Sequence, residues 1–357
     1  MGLPMDISPA NANATQDVGK LLRYVTSLPQ RKTRRLISGQ QIGDARPHVV
    51  DNYDKFIVGL HEKTGQWPAM IGADYDHRHG ADKAIDRSTL NPLLIDYWNA
   101  GGLVTICCHA CNPWSRRNAW LRNKKTGQWY QAHDLRELTN PGCEAHHRWI
   151  AQLDDYATGL ATLRDAGVTV LWRPFHEMTG NWFWWGSKAY GDDASAFIDL
   201  WRHMFHYFSE VHKLNNLIWV YTASNQPRPR HDICYPGDGY TDIVGEDIYH
   251  DEVALAGYDV LTKLPKPFCM GEFGPTLPTP GPYDIAVMLD WIKRRYPLTT
   301  SWLSWPSWNR SKDGWQYVAI VECVNAETVM NDPWVISRDT LTWRQRPTAS
   351  GDQTRTG

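Results

Sequence analysis

Short apolar segments alternate with longer segments of helical periodicity along most of the chain, and this alternation restricts the folds available to it. Such apolar segments, each ending in polar or glycine residues, predict strands at Arg35–Gln40, Ala69–Tyr75, Leu103–His109, Thr169–Glu177, Leu217–Thr222, Ile243–Tyr249, Pro267–Glu272 and Thr299–Trp305. Near-continuous apolar strands separated by helices predict a parallel sheet that is covered on both faces. Eight strand–helix units favour a (β/α)8 TIM barrel with enlarged βα loops over an open doubly wound sheet.

The spacing of apolar residues predicts helices between these strands, and a further helix after Val324 that Pro333 interrupts. The helices between the strands are predicted at Pro47–Lys63, Asn91–Ala100, Cys143–Ala166, Asp193–Lys213, Glu252–Leu264 and Tyr283–Tyr296. A barrel of this type needs about 250 residues, which leaves roughly a hundred for extensions and loops. We therefore expect an N-terminal segment, 1–34, packed on the barrel, a catalytic barrel, 35–345, and a polar tail, 346–357.

The charge balance and hydropathy of the chain exclude several classes of partner. Lys and Arg number 37 against 39 Asp and Glu, so the net charge is −2 and no basic field attracts nucleic acid or anionic membranes. No apolar run approaches the ~18 residues of a membrane-spanning helix. Tryptophan is unusually common, with 19 residues against 8 Phe. A core accepts Phe as readily as Trp, so this excess needs a second explanation.

In a (β/α)8 barrel, functional side chains lie at the carboxyl ends of the strands. Two of the predicted strands end in glutamates, Glu177 on strand 4 and Glu272 on strand 7, and these ends face each other across the barrel mouth. Glycoside hydrolysis needs two carboxyl groups on either side of the bond to be cleaved, and an aromatic cleft can hold the sugar. A single carboxylate at such a position more commonly caps a strand or pairs with arginine. Burial against Trp182 and a neighbouring carboxylate would raise the pKa of Glu177, whereas Tyr249 would keep Glu272 ionised.

The motif Arg173–Met178 followed by Trp182–Gly186 resembles the acid/base segment of glycoside hydrolase family 26, the β-mannanase family of retaining (β/α)8 hydrolases. Gly271–Gly274 resembles the nucleophile strand of that family. Further matches, spanning about Leu36 to Leu341, are Ser38-Gly39-Gln40-Gln41, Gly72-Ala73-Asp74-Tyr75, His109 with Asn112-Pro113, Gly245-Glu246-Asp247-Ile248-Tyr249 and Asn331-Asp332-Pro333-Trp334-Val335.

The resemblance implies that Glu177 is the general acid/base and Glu272 the nucleophile. It implies substrate contacts at His109, His176, Trp182, Tyr249 and Trp305, and we add Trp114 in the loop after strand 3. His176 would bond a sugar hydroxyl or the nucleophile, and Tyr249 would orient Glu272. Trp305 would stack under the sugar ring, with Trp302 and Trp308 as alternative platforms.

The cysteines around His109 have two possible interpretations, a zinc site or cysteines that bind no metal. Cys108, His109 and Cys111, with His146 or His147, could bind zinc, but Cys107 and His109 share one face of a strand and Cys108 the other, which is poor ligand geometry. Buried thiols or a disulfide between Cys111 and Cys143 are favoured. We expect no metal and no organic cofactor.

The leading functional prediction is a retaining endo-β-1,4-mannanase acting on mannan, galactomannan or glucomannan. Alternatives are a β-1,3-1,4-glucanase or β-1,3-xylanase of the same family, an exo-acting mannobiohydrolase, or a non-catalytic carbohydrate-binding barrel. The retained pair of glutamates argues against the last alternative, because binding needs only the aromatic residues. A polymeric substrate implies secretion, although no signal peptide is visible, and we expect a monomer that binds neither nucleic acid nor membrane.

Overall fold

A computed structural model describes residues 7–44, 48–76, 87–123, 126–309 and 314–344. The polar tail predicted at 346–357 lies outside the described residues, as does Pro47 at the start of the first predicted helix. Within the described ranges, none of the helices combines the length and the apolar character needed to cross a bilayer.

Eight parallel strands close into a barrel, which confirms the predicted fold class. Its strands are β1 (Gly39–Asp44), β2 (Met70–Asp74), β3 (Leu103–Cys107), β4 (Val170–Arg173), β5 (Leu217–Ser224), β6 (Ile243–His250), β7 (Phe268–Thr276) and β8 (Thr299–Ser304). The barrel closes through Ser304 of β8, which pairs with Gln40 of β1 and with Phe273 of β7. The carboxyl ends of all eight strands therefore lie around one rim.

Helices follow the strands and bury one face each against the sheet. They are α1 (Gln16–Ser27), α2 (Val49–Tyr53), α3 (Gly59–Thr64), α4 (Leu90–Asn99), α5 (Glu144–Asp165), α6 (Ser187–Tyr190), α7 (Ser195–His206), α8 (Tyr258–Leu261), α9 (Ile285–Arg295) and α10 (Ala326–Met330). A π-helical turn, Asp54–Val58, joins α2 to α3, and a second, Tyr207–Val211, extends α7.

Two predicted elements are shorter than the sequence pattern indicated. Strand 4 was predicted to reach Glu177 but ends at Arg173, because Phe175 and Glu177 adopt left-handed backbone conformations with φ of 51° and 56°. The helix predicted at Glu252–Leu264 is wrong in its first half, and only α8 forms. The carboxylate of Glu246 accepts hydrogen bonds from the Gly257 amide there, which holds the chain in an irregular path.

Helix α1 was not predicted, although its sequence contains the signal for it. The hydroxyl of Thr15 caps the helix by accepting a hydrogen bond from the Val18 amide at 3.4 Å. Val18, Leu21 and Val25 then follow at helical spacing and are buried. The Thr15 amide donates to the Asn215 carbonyl at 2.9 Å, which attaches the start of α1 to the chain just before β5.

Burial divides the tryptophans into two groups. One group is fully buried and packs the barrel wall and the layer under the helices: Trp149, Trp172, Trp184, Trp185, Trp201, Trp219 and Trp302. These indoles bury large apolar surfaces and account for part of the compositional excess. Residues of the second group are partly exposed and include Trp182, Trp305 and Trp308 at the rim.

Asp242, just before β6, joins the N-terminal segment to the barrel. One carboxylate oxygen accepts a hydrogen bond from the Ala10 amide at 2.7 Å, and the other accepts from the Trp219 amide at 2.7 Å. Burial raises the pKa of Asp242 to about 6, and the two amides oppose that shift. Ionisation of Asp242 therefore destabilises the fold. The contribution of Asp242 to the free energy of unfolding is highest below pH 4 and falls as the pH rises through 6.

We predict that Asp242→Ala lowers the free energy of unfolding by about 2–4 kcal/mol, because two buried amides lose their acceptor. The difference from the wild type should be larger at pH 4 than at pH 7, since only the wild type carries the buried charge at pH 7. Urea denaturation at both pH values measures this. Asp192→Ala, at an exposed position, is the control, and equal losses in the two variants would contradict the assignment.

Candidate active site

Glu177 lies in a tight turn after β4 rather than in the strand itself. Its backbone has a φ of 56°, a left-handed conformation that costs a non-glycine residue ~1 kcal/mol or more. The Glu177 amide donates to the Thr222 carbonyl of β5 at 2.8 Å, and its carbonyl accepts from the Gly180 amide at 2.8 Å. These two bonds hold the strained residue with its side chain directed into the barrel mouth.

Two buried indoles donate to main-chain carbonyls at the barrel mouth, one of them in the Glu177 turn. Trp185 donates its indole N–H to the carbonyl of His176 at 2.9 Å, and Trp184 donates to the carbonyl of Ala110 at 2.8 Å. Both indoles belong to the tryptophan-rich motif Trp182–Gly186, whose aromatic rings would also suit a sugar-binding surface. Trp184 and Trp185 are instead fully buried, because each indole satisfies a main-chain carbonyl inside the fold.

The carboxyl group of Glu177 is 8% exposed and accepts a hydrogen bond from the indole N–H of Trp182 at 2.6 Å. Burial raises the pKa of Glu177 well above its ordinary value, and the charges of Glu272 and Asp247 raise it further. The bond from Trp182 only partly opposes these effects. The protonated form of Glu177 is therefore favoured at a pH where an exposed glutamate is ionised.

Glu272, on β7, lies in a different electrostatic environment. One of its oxygens accepts a hydrogen bond from the guanidinium of Arg173 at 2.5 Å, and the other accepts from the phenol of Tyr249 at 2.6 Å. Burial and the Glu272 charge raise the pKa of Tyr249, so the phenol keeps its proton and remains a donor. The two glutamates of the barrel mouth thus differ in that only Glu272 faces a permanent positive charge at hydrogen-bond distance.

Arg173 is fully buried at the end of β4 and bridges two carboxylates. Besides Glu272, its guanidinium donates to Asp247 of β6 at 2.8 Å. Burial lowers the pKa of Arg173, but the charges of Asp247 and Glu272 outweigh that effect and the net shift is upward. Asp247 was not predicted as a site residue, although its position in Gly245–Tyr249 at the end of β6 was a sufficient signal.

The three acidic side chains of the mouth are close together. One oxygen from each of Glu177, Asp247 and Glu272 lies within 4.8 Å of the other two. Arg173 lies against two of the three.

A line of buried polar side chains leads from β2 to Glu272. The ring nitrogen Nδ1 of His109 lies 2.5 Å from Asp74 Oδ2, and Nε2 of His109 lies 3.1 Å from Nε2 of His176. That nitrogen of His176 is 4.0 Å from Glu272 Oε1. His109 lines the cleft, whereas His176 is completely buried beneath it.

The mouth opens into a cleft of about 940 Å³ that is rich in aromatic side chains. Its lining includes the predicted residues His109, Glu177, Trp182, Tyr249, Glu272 and Trp305, together with Trp308. Trp302, the other alternative platform, is fully buried inside the barrel.

Trp114, predicted as a substrate contact, lies outside this cleft. Its indole N–H donates to Glu137 at 2.7 Å, and its ring stacks on His133 with centroids 4.9 Å apart. Trp120 and Trp129, farther along the same loop, line the cleft instead, and sequence reasoning missed Trp129. Trp120 reaches the cleft because its main chain bridges to Phe183, a pairing distant in sequence that no local pattern indicates.

The cysteines do not form the disulfide that was considered. None of the seven forms a disulfide, and the buried Cys111 has its thiol 3.8 Å from Asp76 Oδ1, so the pairing with Cys143 is wrong. The zinc set of Cys108, His109 and Cys111 is not brought together either. The groups of potential ligands within the described ranges are Asp74, Cys107 and His109, and the acidic trio of the cleft.

A (β/α)8 barrel that opposes two glutamates across an aromatic cleft, at the carboxyl ends of β4 and β7, defines a glycoside hydrolase. The chain belongs to glycosyl hydrolase family 26, whose model matches residues 10–340.

The chain is also similar to known proteins over most of its length. It is 34% identical over 351 residues to "Mannan endo-1,4-beta-mannosidase A and B" of Caldalkalibacillus mannanilyticus, covering 94% of this chain but only 63% of that relative's length. It is 32% identical over 347 residues to a mannan endo-1,4-beta-mannosidase of Bacillus subtilis (strain 168), covering 93% of this chain and 88% of the relative. The solved structure of Bacillus subtilis mannanase man26 matches with a TM-score of 0.80 at 30% identity, covering 93% of this chain and 95% of that one.

We predict that Arg173→Met lowers the free energy of unfolding by about 3–5 kcal/mol, because it leaves two buried carboxylates without their cation. Urea denaturation at pH 7 followed by tryptophan fluorescence measures the loss. Arg294→Met is the control, since Arg294 makes an exposed i, i+4 pair with Asp290 and should cost under about 0.5 kcal/mol. A midpoint for Arg173→Met equal to that of the control would contradict the prediction.

Proposed function

We propose that the chain is a retaining endo-β-1,4-mannanase with Glu177 as general acid/base and Glu272 as nucleophile. The observation that carries the proposal is that one carboxylate oxygen of Glu177 lies within 4.8 Å of one of Glu272. Retaining glycosidases separate their carboxyl groups by about 5–5.5 Å, whereas inverting enzymes need roughly 6.5–9.5 Å to admit a water molecule between carboxylate and sugar. The spacing in this barrel supports direct attack by a carboxylate.

In the first step, the Glu177 carboxylic acid transfers its proton to the glycosidic oxygen while Glu272 attacks the anomeric carbon. The bond between that carbon and the glycosidic oxygen breaks, the leaving sugar departs with the proton, and a covalent glycosyl-enzyme forms. In the second step, Glu177 removes a proton from water, which attacks the same carbon and releases Glu272. Net configuration is retained after two displacements.

The charges in the cleft fit this alternation of roles. Before reaction, the Glu272 carboxylate is one of the groups that raise the pKa of Glu177, which favours the acid form. Once Glu272 is esterified to the sugar, its negative charge is gone and the pKa of Glu177 falls. Glu177 is then ionised and acts as the base for the second step.

We propose that the remaining cleft residues position the sugar. Trp305 would stack under the ring, because the apolar C–H face of a sugar packs on a flat indole, and Trp182 would add a second wall. His109 and Tyr249 would contact the sugar that is attacked, and Tyr249 would also orient Glu272. His176 is buried beneath His109, so its proposed role is to act on Glu272 and His109 rather than to bind the sugar.

The substrate proposal is supported by the relatives. Two are named mannan endo-1,4-beta-mannosidases, and a β-mannanase from a termite symbiotic protist, 26% identical with a TM-score of 0.72 over 95% of this chain, was solved with a gluco-manno-oligosaccharide. We propose β-mannans, including glucomannan and galactomannan, as the substrates. Because such polymers do not enter cells, we propose that the protein is secreted. We propose further that it is a monomer and that the reaction requires no metal or organic cofactor.

We predict that Glu177→Ala reduces kcat on mannan by about 10²- to 10⁴-fold, because the leaving oxygen is no longer protonated. The alkaline limb of the kcat/KM profile should disappear with the acid that produces it. On an aryl β-mannoside with a good leaving group, the glycosyl-enzyme should accumulate, and azide should restore turnover by giving the β-mannosyl azide. Glu252→Ala, at an exposed position, is the control, and full activity of Glu177→Ala would reject the assignment.

We predict that the protein releases short oligosaccharides from galactomannan and glucomannan but none from lichenan or β-1,3-xylan. Chromatography of products over time separates the possibilities. A rapid fall in viscosity with mixed product sizes supports endo action, whereas mannobiose alone from the start would indicate exo action. Cleavage of lichenan or xylan in preference to mannan would show that the substrate is a β-glucan or β-xylan and not a β-mannan. Binding without products would indicate a carbohydrate-binding barrel.

A further inference from the structure

The Asp74 carboxylate at the end of β2 is buried and held from two sides. It is 1% exposed. Its Oδ1 accepts hydrogen bonds from the main-chain amides of His109 and Asp76, both at 3.1 Å. Its Oδ2 lies 2.5 Å from Nδ1 of the His109 ring. The two main-chain donors fix the plane of the carboxylate, so Oδ2 always faces the imidazole.

This contact determines where the proton of His109 lies. A carboxylate is only an acceptor, so Nδ1 of His109 must carry the hydrogen of the bond. In the neutral ring, Nε2 then has a lone pair, and it lies 3.1 Å from Nε2 of His176. The His176 nitrogen must supply the proton of that contact and is therefore an N–H.

The same nitrogen of His176 is the atom that approaches Glu272. It lies 4.0 Å from Glu272 Oε1, close enough for the N–H dipole to act on the carboxylate in a site from which solvent is largely excluded. The opposite tautomer would place a lone pair there, which repels a negative charge. The proton position on His176 is thus set two side chains away, at Asp74.

We propose that Asp74 is a positioning residue that fixes the tautomers of His109 and His176, so that the His176 nitrogen nearest the Glu272 carboxylate carries a proton rather than a lone pair. The consequence for catalysis rests on the proposed function. The tautomers themselves do not, and they can be measured without any substrate.

Other charged and titratable groups face this line of residues. Arg173 and Tyr249 donate to Glu272, and Glu177 and Asp247 lie close to it on the acidic side. Cys107 lies next to Asp74 and His109, and burial raises the pKa of its thiol well above the ordinary value, so it stays neutral. None of these groups changes in the test below, so their effects cancel between wild type and variant.

Asp74→Asn changes which ring nitrogens of His109 and His176 carry a proton, and the new side chain has nearly the same shape as the old one. The two main-chain amides require an acceptor, so the Asn oxygen takes the place of Oδ1 and the NH₂ group faces His109. Nδ1 of His109 must then accept, which moves the ring proton to Nε2. His176 Nε2 becomes the acceptor of that proton, and a lone pair replaces the proton on the nitrogen nearest Glu272.

We predict that Asp74→Asn lowers kcat/KM by about 10- to 100-fold, because a lone pair replaces a proton on the nitrogen nearest the nucleophile. The acidic limb of the kcat/KM profile should also move, because the pattern of protons beside the nucleophile is reversed. The Asp76→Asn variant is the matched control. Asp76 is an equally buried carboxylate near the end of β2 that contacts Tyr156 and Cys111, and its substitution should leave the acidic limb in place.

The tautomers are read directly from ¹⁵N spectra of histidine-labelled protein. We expect His109 to carry its proton on Nδ1 in the wild type and in Asp76→Asn, and on Nε2 in Asp74→Asn. A doubly protonated His109 in the wild type, or an unchanged tautomer in Asp74→Asn, would overturn the proposal. So would an acidic limb that shifts equally in both variants. An inactive wild type with these tautomers would reject the proposed function and leave the tautomer assignment standing.

Discussion

The buried Arg173 guanidinium is the interaction on which the geometry of the barrel mouth depends. It reaches from the end of β4 to Asp247 on β6 and Glu272 on β7, so one side chain ties three strand ends together. Breaking such a buried charge cluster costs more than its formation gains, because a lone buried carboxylate is very unfavourable. The cluster therefore fixes the strand ends and places a positive charge beside Glu272 at the same time.

The two glutamates acquire different chemistry from their surroundings alone. Glu272 receives a guanidinium and a phenol, whereas Glu177 receives one indole N–H and the repulsion of its acidic neighbours. An acid and a nucleophile need this difference, since one must hold a proton and the other must not. The left-handed turn at Glu177 contributes by directing that side chain into the mouth, and the indole of Trp185 stabilises the strained backbone.

Much of the fold followed from the sequence because its signals are local. Apolar runs of strand length predicted all eight barrel strands within a few residues, and the carboxyl ends of β4 and β7 identified both glutamates. The errors also have local causes. The segment Glu252–Gly257 has helical spacing, but the Glu246 carboxylate binds its main chain. The strand prediction at Glu177 ignored a left-handed turn that the Thr222 carbonyl, distant in sequence, helps to stabilise.

The tryptophan excess separates what the sequence determined from what tertiary structure decided. The sequence by itself determined the barrel, the family resemblance and the pair of glutamates, because strand periodicity and a long contiguous motif are properties of neighbouring residues. It could not show which tryptophans are buried and which line the cleft. Trp302 packs inside the barrel, Trp114 binds Glu137, and Trp305 lines the cleft. Nor could it show that Asp247 shares Arg173 with Glu272, or that Asp74 bonds His109. Those contacts join residues far apart in the chain, and only closure of the barrel brings their strand ends together.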